Sequence, residues 1–149
     1  MKNILENTIE DETKFSFKKE ERLCSKKIID KLFSEGDSFL SFPLKVVFMQ
    51  TSLSVKYPVQ AAFTVGKRNF KSAVQRNLIK RKIRETYRLN KFQLYHVLED
   101  KQVAIFFIFI GKTIPEYKLV ETAMKKGINK LIKEISSDNS KKHDQQKCQ

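Results

Sequence analysis

The side chains able to make or break bonds are few in this chain, and they stand apart. His96 and His143 lie in unlike surroundings, the second in a polar C-terminal stretch. Cys24 and Cys148 match no zinc-ligand spacing. The acidic pairs Asp11-Glu12, Glu20-Glu21 and Glu99-Asp100 are neighbours in the chain, which does not make their carboxylates converge on one metal or one proton. No glycine-rich phosphate loop is present. No catalytic residue and no metal ligand is therefore expected from this chain. What the residues can do is hold phosphate. Between Gly66 and Lys91 stand ten basic residues and a single acid, Glu85, so most of the formal charge of +13 is gathered in one short stretch. Such clustering is the electrostatic footprint of a polyanion partner.

The stretch has a shape. Ser72-x-x-Gln75 matches a capping box, which predicts a helix beginning there. At about 100° per residue, Asn77, Lys80, Arg81, Arg84, Arg88 and Lys91 fall within one arc of roughly 100°. Ile79, Ile83 and Thr86 fall on the opposite side, with Arg76 and Tyr87 at the border. One face is guanidinium, ammonium and amide; the other is apolar. A solvated face on an amphipathic helix is the plain alternative. The poverty of acids at i+3 and i+4 favours nucleic acid. Lys67, Arg68 and Lys71 add cations beside the helix N-terminus, where phosphate oxygens are already favoured.

The flanking elements follow from pattern. Val59 to Val65 alternates as a half-buried strand ending at Gly66, and Val103 to Ile110 is continuously apolar, a strand buried on both faces. Strand, basic helix, strand is a crossover, which makes these two strands parallel. Pro43 opens a further strand over Leu44 to Thr51. Ser25 caps a first helix that closes at Gly36, with Ile28/Leu32 and Ile29/Phe33 as i,i+4 pairs on adjoining faces. Leu94, Tyr95 and Leu98 predict a short helical turn. Ile114-Pro115 opens a last helix with an apolar stripe of Val120, Met124, Ile128, Leu131 and Ile135, and Gly127 within it points to a close approach to the sheet.

At 149 residues the chain is read as one domain over 15–135. Disordered segments are expected on either side, at 1–14 and 136–149. Phe15 and Phe17 either pin the terminus to the core or stack on bases, and pinning is favoured. Met1 to Lys14 lacks the apolar run of a secretory signal, and the longest apolar run is too short to span a membrane. Two isolated cysteines fit reduced thiols. The expectation is a cytoplasmic protein with no membrane contact and no obligate protein partner.

Arg76-Asn77-x-x-Lys80-Arg81-x-x-Arg84-Glu85, with Val65-x-Lys67-Arg68 and Ala73-Val74 before it, resembles the motif of the bacterial ribonuclease P protein subunit. Arg22-Leu23, a spaced apolar pair and Gly36 resemble the opening of the same family. The likeness covers roughly Phe15 to Ile135. It implies an α+β fold, a small mixed β-sheet packed against helices as an α-β sandwich of ribosomal-protein type. General rules make a β-α-β crossover right-handed; the resemblance implies a left-handed one. It also implies two partners, the catalytic RNA subunit and precursor transfer RNA, with Mg²⁺ held mainly by that RNA and not by this chain. The RNA-binding residues it implies are Lys67, Arg68, Lys71, Arg76, Asn77, Lys80, Arg81, Arg84 and Arg88. Phe33 matches the second aromatic of a cleft that holds the 5′ leader, and Ile29 stands where the first aromatic belongs; core packing is the alternative for both. Two other functions fit the basic helix: a ribosomal-type RNA-binding protein, or a DNA-binding protein that lays it in a major groove.

Overall fold

The computed structural model describes residues 16–98 and 101–147, and side-chain surroundings as far as residue 137. Helix α1 spans Lys26–Glu35 and is followed by strands β1 (Asp37–Ser41), β2 (Leu44–Gln50) and β3 (Val59–Val65). The basic helix α2 (Ala73–Asn90), the short α3 (Phe92–Leu98), β4 (Val103–Phe109) and α4 (Tyr117–Lys147) complete the chain. The sheet order is β1-β2-β4-β3. β4 pairs antiparallel with β2, Leu44 opposite Phe109, and parallel with β3, Val59 beside Val103. The crossover through α2 is thus confirmed as a parallel connection.

β4 lies between two strands, buried in the main core on one face and partly covered by α1 on the other, which is why its sequence carries no polar alternation. Val103, Ile105, Phe107 and Phe109 join the main core with Ile79, Ile83 and Tyr87 of α2 and the predicted stripe of α4, every member of which is buried. Ala104, Phe106 and Ile108 point to the other face, where Leu32 of α1 is fully buried and Ile28 and Ile29 pack beside it. α1 is only ten residues long. It covers part of that face, and Phe106 and Ile108 remain half-buried.

Several elements depart from expectation. β1 went unread because Asp37-Ser-Phe-Leu-Ser41 is short and half polar, as an edge strand can be; it pairs with β2 through a tight turn at Phe42-Pro43. The last helix starts at Tyr117, two positions beyond Pro115, and its backbone continues past Ile135 to Lys147. Ser136 to Lys147 contains no Gly or Pro to break the helix. The segment 1–14 lies outside the described residues. Phe17 is pinned, its ring edge-on to Phe63 and Tyr87 at 5.7 Å from each.

The two helix-associated glycines stand where expected, but differ in how tightly they are packed. Gly36 closes α1 with φ −74°, so no left-handed turn requires it. A Cβ there would press into the Leu32 carbonyl oxygen and sit 3.0 Å from that of Phe48. Gly127 does lie over the sheet, but a Cβ would meet Ser41 and Val46 only at ordinary contact distances of 3.6–3.8 Å. Gly127→Ala is therefore expected to raise unfolding stability by about 1 kcal/mol through helix propensity. Gly36→Ala should lower it. Urea titration of both variants checks the opposite signs.

Candidate nucleic-acid interface

The loop after β3 is shaped by one apolar residue. Phe70 is buried, its ring 5.9 Å from that of Phe109, and this anchor leaves Lys67, Arg68 and Lys71 exposed around it. Arg76 braces the same loop: one guanidinium nitrogen donates to the Phe70 carbonyl at 2.7 Å and to that of Lys71 at 2.9 Å. α2 then begins at Ser72, whose hydroxyl accepts from the Gln75 amide at 3.4 Å, the serine half of the predicted capping box.

Along α2 the predicted division of faces holds. Ile79, Ile83, Thr86 and Tyr87 are buried. Asn77, Arg81 and Arg84 are exposed, Lys80 and Arg88 half-buried. Arg88 is engaged by Glu85 through two hydrogen bonds, Nε to Oε2 at 3.1 Å and Nη2 to Oε1 at 2.5 Å. That hydrogen bond holds the Glu85 carboxyl below the usual carboxylate range, against a smaller opposing effect of burial. The one acid of the basic stretch thus spends its charge on Arg88 and leaves Arg81 and Arg84 unneutralised by it.

Lys91 is the exception. By helical phase it belongs with the basic arc, yet its side chain is buried and ion-paired with Glu21. It also donates to the Ser16 carbonyl. Desolvation lowers the Lys91 pKa from the ordinary lysine value, and the Glu21 hydrogen bond opposes that. No local pattern foretells this pairing, because its partner lies 70 residues away in the chain. Lys91 is an internal strut and is withdrawn from the phosphate-facing set.

Arg22 is the reverse case, a cation that sequence reasoning passed over. It joins Lys80, Arg84 and Phe17 around a notch of about 220 Å³ at the β3 edge, reaching Ala62 on the open sheet face. Arg22-Leu23 belongs to the family-like opening of the sequence, but no charge pattern there marked Arg22 as a contact residue. On that open face Phe33 is 52% exposed and stands edge-on to Phe106 at 5.0 Å, while Ile29 packs partly buried against the sheet. Simple core packing therefore accounts for Ile29 better than for Phe33. Among the described residues no group of three or more His, Cys, Asp or Glu is placed to hold a metal ion. No helix there is long and apolar enough to cross a membrane.

These features define an α+β protein that presents a row of unneutralised cations on one helix, suited to gripping phosphates. Relatives agree on what it is. The Ribonuclease P family model matches residues 17–136. The ribonuclease P protein component of Porphyromonas gingivalis is 35% identical over 125 residues, covering 83% of this chain and 91% of that one. That of Chlorobium phaeobacteroides is 33% identical over 117 residues, covering 70% and 80%. The solved RNase P protein of Staphylococcus aureus shares the fold at a TM-score of 0.60 and 18% identity, over 74% of this chain and 94% of that chain. The RNase P protein of Thermotoga maritima, solved with 1-(4-fluorophenyl)-2-thiourea, does so at 0.52 and 24% identity, over 75% and 97%. The chain belongs to the ribonuclease P protein family. It is the protein component that works with an RNA subunit in the 5′ processing of transfer RNA, and the ribosomal-type and DNA-binding alternatives fall away.

Two tests separate structural from RNA-facing positions. Arg84→Ala should weaken binding of the RNA subunit and reduce the log–log salt slope by about 0.7–0.9, the counterions released by one phosphate contact. Ile83→Ala, one residue along and fully buried, should leave the slope intact and cost roughly 2–5 kcal/mol of stability. Lys91→Met should behave like Ile83→Ala, losing about 3–5 kcal/mol because Glu21 is left as an uncompensated buried charge. Binding titrations across a salt series, paired with urea melts, read both quantities.

Proposed function

We propose that the chain docks on the RNA subunit through α2 and its preceding loop, and holds the 5′ leader of precursor transfer RNA on the open sheet face. On this reading Asn77, Lys80, Arg81 and Arg84 meet folded RNA, with Lys67, Arg68 and Lys71 beside them; Arg76 and Arg88 stand at the margin, partly committed to the Phe70 and Lys71 carbonyls and to Glu85. The observation that carries it is the exposed, unneutralised row on α2 set opposite the buried face of Ile79, Ile83, Thr86 and Tyr87. A-form RNA has a major groove too narrow for a helix, so α2 would meet surface features of a folded RNA. Arginine suits that task because its planar fork takes phosphate oxygens in pairs. Asn77, polar and uncharged, is fitted to a base edge or 2′-hydroxyl.

Cleavage belongs to the RNA in this scheme, and the Mg²⁺ it requires is held mainly there; the protein's share is binding, orientation and relief of repulsion between two polyanions. The RNA-binding unit is residues 15–135, acting in the cytoplasm. Phe33 is the leader-contacting residue, with Ile29 shaping the wall beside it. Reconstitution with the cognate RNA subunit and matched substrates tests the assignment. Phe33→Ala should weaken binding of precursor with a leader by roughly 1–3 kcal/mol, the usual range for one lost base stack, and spare mature transfer RNA. The protein freed of RNA should leave the precursor intact. An equal loss for both ligands would return Phe33 to packing, and 5′ maturation by RNA-free protein would overturn the division of labour.

A further inference from the structure

Between α2 and the first turn of α4 lies a groove of about 390 Å³ whose apolar lining the assigned contacts do not use. Its apolar surface comes from Leu78 and Tyr117, which are 43% and 38% exposed. Its rim carries Arg81, Arg84 and Arg88. The wall is held in place by Lys82, whose ammonium donates to the Pro115 carbonyl at 2.7 Å and so fixes the chain just before Tyr117. Glu85, the only acid of the groove, is bound at both oxygens by Arg88. An aromatic face and guanidinium groups lining one cleft are the two halves of a nucleotide site: the ring stacks a base, and the cations take its phosphates.

We propose that this groove receives one unstacked nucleotide of the RNA subunit, its base against Tyr117 and its phosphate toward Arg81 and Arg84. The inference rests on the reading that α2 docks on that RNA, because the groove is continuous with the same arc: Arg81 and Arg84 belong to both. Charge complementarity selects a polyanion, and an open pocket with one aromatic wall selects a base that has left its helix. Tyr117 thereby becomes a binding residue in the last helix, well beyond the basic stretch that ends at Lys91, where charge patterning gives no indication of it.

The test uses the full chain and the cognate RNA subunit, titrated over a salt series. Tyr117→Ala should weaken binding on the order of 5- to 150-fold, the range corresponding to one lost stack, and leave the salt slope unchanged because no phosphate contact is removed. Tyr117→Phe should bind as the parent does. A photoreactive p-azidophenylalanine at position 117 should cross-link to the RNA subunit at a discrete nucleotide, whereas the same group at exposed Val97 on α3 should not. Wild-type affinity for Tyr117→Ala, a Tyr117→Phe variant as weak as the alanine, or a loss seen only with precursor transfer RNA would each overturn the proposal. Arg81→Ala and Arg84→Ala run alongside. If they weaken binding and flatten the slope while Tyr117→Ala is silent, the nucleotide site alone fails. If all three are silent, the docking of α2 on RNA fails with it.

Discussion

The structure turns on one buried ion pair. Glu21 and Lys91 each keep only 2% of their side-chain surface exposed. Oε1 of Glu21 accepts from the Lys91 ammonium and from the Tyr95 hydroxyl at 2.7 Å, while Oε2 accepts from the Lys18 amide at 2.8 Å. The lysine reaches further, to the Ser16 carbonyl. Three pieces of chain meet at this point: the N-terminal segment, the end of α2 and α3. The same N-terminal segment is tied to β3, through Leu23 N–H to the Ala61 carbonyl and the Gln60 side-chain amide to the Glu20 carbonyl, both at 3.0 Å. Taking two charges out of water is costly, and apolar replacements can equal such a pair in stability. Its distinctive contribution is positional, since two full charges in low dielectric tolerate few other arrangements.

That fixed point carries weight because α2 works against itself electrostatically. Cations at i+3 and i+4 along one face repel by about 0.2–0.5 kcal/mol per pair. Glu85 relieves this for Arg88 alone. Burial of Ile79, Ile83 and Tyr87 contributes roughly 1.5–3 kcal/mol for each large side chain, which exceeds the repulsion and keeps the helix folded with its charges exposed. A helix of this composition would be marginal in isolation; here the sheet, through Phe63 edge-on and Phe107 tilted against the Tyr87 ring, each at 5.5 Å, supplies what the sequence withholds.

Much of this was legible in the residues, for identifiable reasons. Period and composition mark β3, α2, β4 and the buried stripe of α4, because each buries a face whose spacing is set by backbone geometry alone. Features that depend on what lies across the fold were not legible. Lys91 has the phase of a surface cation until Glu21 is brought to it. Gly36 closes its helix where expected, yet for close packing against two carbonyl oxygens and not for a left-handed turn. Gly127 looks like a required close contact and has room for a methyl group. Phe33 and Ile29, equivalent in pattern, are separated only by the short reach of α1, which leaves one ring half in solvent over Phe106 and packs the other side chain against the sheet.

The geometry at the β3 edge joins the two surfaces. β3 carries Phe63 toward the main core and Ala62 toward the open face, so a single strand separates the basic helix from the face that bears Phe33. Arg22, Lys80 and Arg84 border the notch that spans this edge, with Phe17 at its side. Arg22 owes its place to the bridge with Ala61, and Phe17 to its packing under Lys91. The ion pair and the strap it anchors therefore set the angle between the cations of α2 and the exposed aromatic of α1. On the proposed reading, in which RNA subunit and 5′ leader are held together, that angle has to be rigid, because the two polyanions repel and a yielding scaffold would let them separate. Rigidity at the pivot, with exposed charge on either side of it, is the physical condition this sequence meets.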